Sequence, residues 1–494
     1  MPLRLPLRLY ALAILSSLLI SPATTTYWDA FGYLTQAITG QVGGLGLGRP
    51  VFVLAAHGIA GAWLVVGGSP WHVDAVLRAC VMAVSAASAP LTYRLARACG
   101  LSVRAAWIAG LAVASSPALA HASGQVLTDG PAVACVLVAL VCGVRASTPD
   151  SSPAAATRLA LASGVAFGLA IGIREQAIVY ALALALVVWN ASSPARVRLA
   201  AAMGAGAVAC AIAPLVFVLA TQPGYLDTIR HWLEGMRADR ALKTYGWRDL
   251  ATYVVWLLSL GPAVVVAAAS LGLRSPAGIK PAGYDWKSAQ AAVVVVSLAQ
   301  LVWMATLRGV GYSPRFLVQA LPGAIALPGA IAIDRWIGPS RARLIAAVLA
   351  IVLPVLVAAP IVRARSAPLE RTLRTWPSML AEIPSGAVIV SGQPCPAVPL
   401  VETLLAHDRA WTGRVPSWEP ICPGWSWPRD LASALDRALA DGRVVALDVR
   451  SASWIGAEQR AALADVERYT NAHAGDTARG RVIVWRAGSP SPPE

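Results

Sequence analysis

The amino-acid sequence predicts an all-α polytopic membrane domain of about 11 transmembrane helices, followed by a C-terminal α/β domain. Hydrophobic residues make up 57% of the 494 residues, the mean hydropathy is +0.62, and charged residues make up only 13%. Soluble domains carry roughly 25% charged residues, so this composition excludes an ordinary soluble protein. Charges become more frequent after residue 361, so we expect a membrane domain over 1–361 and a soluble domain over 362–494.

Apolar runs that are long enough to cross a bilayer recur along the first domain. The predicted spans are 5–23, 73–95, 105–121, 131–145, 159–173, 176–190, 199–220, 250–271, 288–307, 316–333 and 344–361. Arg4 and Arg8 before the first run, and small residues after it, also match a cleaved signal peptide, and both interpretations stay open. In either case the following segment lies outside.

A further apolar run at 50–66 decides the orientation of every later loop. If this run does not cross, each cytoplasmic loop is basic. These loops then hold Arg94, Arg97, Arg104, Arg145, Arg158, Arg196, Arg198, Arg274, Lys280, Lys287, Arg335, Arg341 and Arg343. If it does cross, the same residues move outside, against the positive-inside rule. We therefore predict an interfacial or re-entrant helix within a long first external loop, 24–72.

The formal charge of +15 does not indicate nucleic-acid binding. The basic residues lie mostly in short loops between apolar runs, where anionic lipid head groups explain them. We expect membrane lipids as partners, no nucleic acid, and a multi-pass location in the plasma membrane.

The C-terminal segment has the pattern of a small α/β domain. "GAVIVSG" and "RVVALDVR" are typical of short buried strands, and "RDLASALDRALADG" and "AEQRAALADVERYT" of amphipathic helices. With eleven spans and the N-terminus inside, this domain is extracytoplasmic. There, Cys395 and Cys422 form either one disulfide or two unpaired thiols.

Acids, arginines and tyrosines collect in the external loops. The candidates are Asp29, Tyr33 and Arg49 in the first loop, Asp129 in the second, Arg174 and Glu175 in the third, and Tyr312 and Arg315 in the fifth. A charge beside a span is costly unless it pairs with an opposite charge, is hydrated or serves a function, so each of these residues is a functional candidate. Carboxylates and guanidiniums at a membrane surface suit a substrate that is both a lipid and an anion, such as a lipid-linked phosphate.

Four motifs carry a resemblance to a known superfamily. They are "YWDAFGYLTQA", "GRPVFVLAAH", "TDGPA" and "PRFLVQALPG", and they occur in this order within residues 1 to 335. Together they resemble the GT-C glycosyltransferases, and within these the branch of protein O-mannosyltransferases and lipid A aminoarabinose transferases. Two positions depart from the pattern. Asp29 is followed by Ala30, where the family often has a second acid, and Arg174 stands where the family often has Lys.

The chemistry of sugar transfer from a polyprenyl phosphate explains the residue types. The phosphate leaves as a stable anion, so the catalyst needs a carboxylate that accepts the proton of the attacking hydroxyl and fixed positive charge around the phosphate. We expect Asp29 as the base of an inverting displacement. Asp129 is either a second catalytic group, orienting the base or the acceptor, or the cap of its helix.

Three arginines are expected to bind the donor phosphate: Arg49, Arg174 and Arg315. Possible substrate contacts are Tyr33, Glu175 and Tyr312. The acceptor hydroxyl belongs to a lipid, glycan or protein on the outer face. We expect no cofactor, and no metal because the chain has no Cys/His cluster at ligand spacing and lacks a second acid beside Asp29.

Structural roles remain alternatives for the same residues. Asp29 could cap an interfacial helix, Arg315 could snorkel to the interface, and Arg174 could pair with Glu175 or another loop acid. Two other function classes also remain. A transporter or flippase of lipid-linked sugars would need polar groups at the midplane and repeated halves, and a non-catalytic scaffold would use the external domain for binding.

Overall fold

The structure is a computed structural model in which the chain forms two compact units. It describes residues 4–43, 49–148, 151–189, 191, 193–230, 233–234, 247–272, 286–306, 314–392, 395, 397–422, 427–449, 457–473 and 482–485. The first unit comprises Met1–Ser21, Gly40–Ala56 and Leu77–Val362, and the second comprises Pro22–Thr39, His57–Val76 and Arg363–Glu494.

The chain is helical over most of its length. The first helices are α1 (Arg4–Ile20), α2 (Trp28–Thr39), α3 (Pro50–Val65), α4 (Val73–Ala86), α5 (Ser88–Ala98), α6 (Val103–Ala114), α7 (Pro117–Ser123), α8 (Asp129–Ala146), α9 (Pro153–Ile173), α10 (Tyr180–Trp189) and α11 (Ser193–Thr221). There follow α12 (Trp247–Leu258), α13 (Pro262–Gly272), α14 (Trp286–Thr306), α15 (Leu327–Ile337), α16 (Arg341–Ala381), α17 (Ala397–His407), α18 (Leu431–Ala440) and α19 (Ala457–Ala472). Short 3₁₀ helices cover Pro70–His72, Glu175–Val179 and Pro314–Leu317, and a π-helix covers Leu321–Ala326.

Several of these helices are suited to a bilayer. Within the described residues, five are long and apolar enough to cross, or up to seven if each of two bent pairs is one span. The predicted number of eleven spans is therefore not confirmed. The run at 50–66, expected not to cross, forms the 16-residue helix α3, which is among the shorter apolar helices.

Three predicted spans differ in detail from the helices of the structure. The span 250–271 is not one straight helix, because Ala251–Leu258 and Pro262–Ser270 are bent by 106°. Pro262 lacks the N–H that would continue the helix, and Gly261 before it has a φ of 142°. The span 105–121 is likewise bent by 54° between α6 and α7. The last span, expected to end at 361, belongs to the 41-residue helix α16.

The first unit is held together by close helix packing. On α9, a Cβ at Gly164 would lie 2.0 Å from the carbonyl oxygen of Met203, and one at Gly168 would lie 2.4 Å from that of Ala207. Only glycine permits these approaches, so α9 and α11 pack backbone against backbone. Such small-residue interfaces allow dense packing between helices in a membrane, where no hydrophobic driving force brings helices together.

The second unit contains a parallel four-stranded sheet. Strands β1 (Val388–Val390), β2 (Glu419–Ile421), β3 (Val445–Asp448) and β4 (Val482–Trp485) pair in the order β2-β1-β3-β4. This confirms that both predicted strand segments form strands, and α18 and α19 confirm the two predicted helices. Cys395 and Cys422 form a disulfide, which settles the alternative left open by the sequence.

The same unit also includes segments of the first loop. Helix α17 packs on α2, the indole N–H of Trp71 donates to Asp408 at 2.7 Å, and the backbone N–H of Ala23 donates to Glu370 at 3.0 Å. These contacts join residues 22–39 and 57–76 to the C-terminal domain within the second unit.

Candidate active site

A buried ion pair in the first unit joins the end of one helix to the start of another. Arg174 follows the last residue of α9, and Asp129 is the first residue of α8. Their side chains are 2% and 0% exposed, and Arg174 Nη1 lies 3.0 Å from Asp129 Oδ1. Arg174 also donates to the Thr128 hydroxyl at 3.0 Å. A carboxylate at a helix N-terminus and a guanidinium at a C-terminus both interact favourably with the helix dipoles, which offsets part of the cost of burial.

A second ion pair lies beside the first in sequence. Arg49 Nε donates to Glu175 Oε2 at 3.3 Å, and the Arg49 side chain is 8% exposed. Arg49 has a φ of 49°, and within the described chain it alone among non-glycine residues has a positive φ. The left-handed region costs roughly 1–2 kcal/mol for such a residue, so the surrounding structure must hold Arg49 there.

Arg315 supplies a third buried guanidinium. It lies in the 3₁₀ helix Pro314–Leu317 and is only 6% exposed. This burial disfavours the alternative in which Arg315 snorkels toward the membrane surface, because a snorkelling side chain keeps its charged end in water. Tyr312, which the sequence analysis grouped with Arg315, lies outside the described residues.

The charges of this cluster act on one another. We call Arg49, Asp129, Arg174, Glu175 and Arg315 the arginine cluster. Burial lowers the pKa of the Arg174 guanidinium to about 10; the charges of Arg49 and Arg315 act in the same direction, and Asp129 opposes them. Burial acts to raise the pKa of the Glu175 carboxyl, but Arg49 and Arg174 outweigh it and leave that pKa lowered. Both groups are therefore ionised at neutral pH.

The cluster contains more guanidiniums than carboxylates. Its three guanidiniums and two carboxylates lie in a water-poor setting, where charges interact strongly. The sequence analysis identified all five side chains but not their pairing. Arg174 pairs with Asp129 instead of its neighbour Glu175, which pairs with Arg49.

Asp29 and Tyr33 belong to the second unit. Asp29 lies in the first turn of α2 and is partly exposed, and Tyr33, four residues later on the same helix face, is 1% exposed. A carboxylate in the first turn stabilises a helix, so a helix-capping role remains an alternative to catalysis for Asp29.

One acid of the second unit was missed by sequence reasoning. Asp74, in the first turn of α4, accepts hydrogen bonds from the Thr25 backbone N–H at 3.1 Å, the Thr25 hydroxyl at 2.5 Å and the Thr24 hydroxyl at 3.2 Å. These bonds fix the segment that leads into α2 and Asp29. The signal was hidden because Asp74 stands at the edge of a predicted span, where an acid is usually read as a helix-starting residue.

Within the described residues, no group of three or more His, Cys, Asp and Glu side chains is arranged to hold a metal ion. The arginine cluster itself has too few carboxylates to serve as a cation site, because each of its two acids already faces a guanidinium. Its chemistry suits an anion.

Comparison with known proteins bears on the fold. Residues 58–222, a third of the chain, match the family model of dolichyl-phosphate-mannose-protein mannosyltransferase. No curated protein sequence matches the chain. The structure is similar to that of ArnT from Cupriavidus metallidurans in the apo state, with a TM-score of 0.55 and 12% identity over 97% of this chain and 88% of ArnT.

Two further solved structures show related likenesses. ArnT from the same organism bound to undecaprenyl phosphate gives a TM-score of 0.52 and 14% identity over 78% of this chain and 82% of ArnT. The oligosaccharyltransferase AglB from Archaeoglobus fulgidus gives 0.43 and 14% identity over 82% of this chain, which spans only 64% of the length of AglB. The chain therefore shares its fold with ArnT, and a third of its sequence is similar to the dolichyl-phosphate-mannose-protein mannosyltransferase family.

Proposed function

We propose that this protein transfers a sugar from a polyprenyl-phosphate donor to an acceptor hydroxyl on the extracytoplasmic face of the plasma membrane, with inversion at the anomeric carbon. The observation that carries the proposal is the arginine cluster, which brings three buried guanidiniums together with two carboxylates. One ArnT structure is bound to undecaprenyl phosphate, which makes polyprenyl-phosphate sugars the first donor class to test.

The charge of the cluster fits the charge that develops in the reaction. The donor phosphodiester carries one negative charge, and the released polyprenyl phosphate carries roughly −1.5 to −2. Because the extra negative charge appears as the sugar leaves, fixed guanidiniums bind the transition state more strongly than the donor. Arg49, Arg174 and Arg315 are the proposed phosphate ligands.

The two carboxylates of the cluster have a supporting role in this proposal. Asp129 is fully buried and ion-paired, which suits a residue that orients Arg174 better than one that exchanges protons. Glu175 orients Arg49 in the same way. We therefore assign Asp129 to positioning and keep the proton-accepting role for Asp29 alone.

Asp29 is proposed as the base. Its carboxylate accepts the proton of the acceptor hydroxyl as the acceptor oxygen bonds to the anomeric carbon, and the bond from that carbon to the phosphate oxygen breaks with its electron pair on the phosphate. One displacement inverts the configuration. Asp29 is partly exposed, as a group that meets an acceptor must be. Tyr33 and Tyr312 are proposed substrate contacts.

The test of the proposal is a transfer assay with the purified protein in lipid nanodiscs. Synthetic polyprenyl-phosphate sugars serve as donors and extracted envelope lipids, glycans and proteins as acceptors. We expect release of polyprenyl phosphate, a product with the opposite anomeric configuration by NMR, and an unchanged rate after addition of a chelator. A product that keeps the donor configuration would rule out the single displacement, and turnover of none of the donors would remove the proposed activity.

The proposed sidedness has its own test. We expect a cysteine at Ala154 to react with an impermeant maleimide only from the cytoplasmic side, and one at Arg409 only from the outside. Both positions are exposed, so failure to react reports sidedness instead of burial. The reverse labelling would place the C-terminal domain in the cytoplasm and overturn the extracytoplasmic assignment.

A further inference from the structure

We propose that Tyr180 is a positioning residue that holds the Arg315 segment against the Arg174 segment, so that both guanidiniums can engage one phosphate. The inference rests on the proposed function, since it takes the arginine cluster to be a phosphate site. It adds a residue that touches neither the cluster nor, in this proposal, the substrate.

The contacts of Tyr180 join two distant parts of the chain. Tyr180 is the first residue of α10 and follows Arg174 by six positions, with the 3₁₀ helix Glu175–Val179 between them. Its hydroxyl donates to the backbone carbonyl of Gln319 at 2.8 Å and lies 3.2 Å from the Ser297 hydroxyl. Gln319 follows Arg315 by four residues, so this one hydrogen bond connects the two arginine-bearing segments.

The backbone near Gln319 is irregular. The chain passes from a 3₁₀ helix at Pro314–Leu317 through a turn into the π-helix Leu321–Ala326. Irregular backbone within a membrane needs hydrogen-bond partners from the protein, because lipid supplies none. Tyr180 and Gln319 are 2% and 4% exposed, so the tyrosine hydroxyl provides a partner that water cannot easily replace.

Gln319 is also held through its side chain. Gln300 on α14 donates from Nε2 to Gln319 Oε1 at 2.5 Å, and Gln300 is fully buried. The residue is thus fixed from α10 through its backbone and from α14 through its side chain. These two hydrogen bonds leave the Arg315 segment little freedom to slide or rotate.

The hydrogen bond from Tyr180 also acts against an electrostatic repulsion. Arg174 and Arg315 carry like charges, and the repulsion between them acts to separate their two segments. The hydrogen bond from Tyr180 opposes the separation. The donor phosphate then meets two guanidiniums that are already in place, and little binding energy is lost in ordering them.

The test measures binding of polyprenyl phosphate and of uncharged polyprenol to the full-length protein in nanodiscs. Tyr180→Phe removes the hydroxyl and keeps the ring. We expect about threefold to tenfold weaker binding of polyprenyl phosphate, the loss typical of one hydrogen bond, with unchanged binding of polyprenol. Tyr253→Phe is the matched control, since the Tyr253 hydroxyl also donates to a backbone carbonyl, that of Leu301 at 3.0 Å. We expect it to leave both affinities unchanged.

A double-mutant cycle shows whether Tyr180 acts through Arg315. In protein that already carries Arg315→Ala, we expect Tyr180→Phe to cause no further loss of phosphate binding. Equal losses in both backgrounds, or an equal loss of polyprenol binding, would overturn the positioning role while leaving the phosphate site intact. If Arg315→Ala itself leaves phosphate binding unchanged, the phosphate assignment fails and this inference fails with it.

Discussion

Charged side chains have different surroundings in the two units of the molecule. In the first unit, Arg174 and Asp129 are almost completely buried and neutralise each other across two helices. In the second unit, Asp29 and Asp74 lie in the first turns of helices and are partly exposed. Asp74 accepts hydrogen bonds from the hydroxyl groups of Thr24 and Thr25 and from the Thr25 backbone N–H.

The difference matches the two tasks of the proposed reaction. Positive charge that stabilises a leaving phosphate works best when it is fixed and shielded from water, because a mobile or hydrated guanidinium must reorganise during the reaction. A base must meet its acceptor and lose its proton afterwards, so it needs access to the outside. The comparison therefore predicts that changes in the first unit affect stability and donor binding, and changes in the second affect turnover.

The largest expected effect concerns the buried pair. Arg174→Ala leaves the Asp129 carboxylate buried and uncompensated, and we expect a loss of about 3–5 kcal/mol in the free energy of unfolding. The double variant Asp129→Leu with Arg174→Met removes both charges and should recover most of that stability, though not donor binding. Unfolding followed by tryptophan fluorescence in detergent measures both. The control is Arg230→Ala, whose side chain is 75% exposed and whose loss should matter little.

Asp29 tests the other half of the comparison. Asp29→Asn keeps the size of the side chain but cannot accept a proton, so we expect turnover to fall by roughly 10²-fold or more, with donor affinity and unfolding unchanged. Asp227→Asn, at a carboxylate that is 80% exposed, is the matched control. Normal turnover of Asp29→Asn with a competent donor would make this carboxylate a structural helix-start residue.

Arg315 distinguishes charge from geometry. We expect Arg315→Ala to weaken polyprenyl-phosphate binding by roughly tenfold or more, and Arg315→Lys to weaken it less, because lysine keeps the charge but loses the forked pair of donors. Competition with a labelled polyprenyl phosphate measures both variants. Equal affinity of the two variants and the unmodified protein would remove Arg315 from the phosphate site.

The smallest expected effect concerns Asp74. Asp74→Ala removes the three hydrogen bonds to Thr24 and Thr25, and we expect turnover to fall about fivefold because the segment before Asp29 loosens. Asp74→Asn keeps an acceptor oxygen and should lie between the two. Steady-state kinetics at saturating donor measures the change. An effect on donor affinity with no effect on turnover would contradict the division of tasks between the units.

Sequence reasoning found the chemical groups of the candidate site but not their partners. Hydropathy and loop position indicate that Arg49, Arg174 and Arg315 are unusual, because each carries a charge beside an apolar run. Pairing depends on which helices become neighbours. Arg49 and Glu175 are 126 residues apart, and nothing in their local sequence distinguishes this pair from one between Arg174 and Glu175.

The same limit applies to the fold. Strand and helix patterns in the C-terminal domain were correct because β1 and β3 are short apolar runs that are buried throughout, and a helix such as α18 has one buried face that its periodicity records. Glycine and proline also occur within single membrane helices, so the Gly261–Pro262 pair did not by itself predict the bend between α12 and α13. The packing of α17 on α2 joins segments far apart in the chain, and only the structure records it.

The left-handed backbone of Arg49 shows what the position of this guanidinium costs. The conformation is one that glycine adopts freely, and it costs arginine roughly 1 kcal/mol of strain. Glycine would relieve the strain, but it would also leave the Glu175 carboxylate without its guanidinium partner, and breaking a largely buried ion pair costs more than the strain. The ion pair therefore keeps Arg49 in a backbone conformation that arginine by itself disfavours.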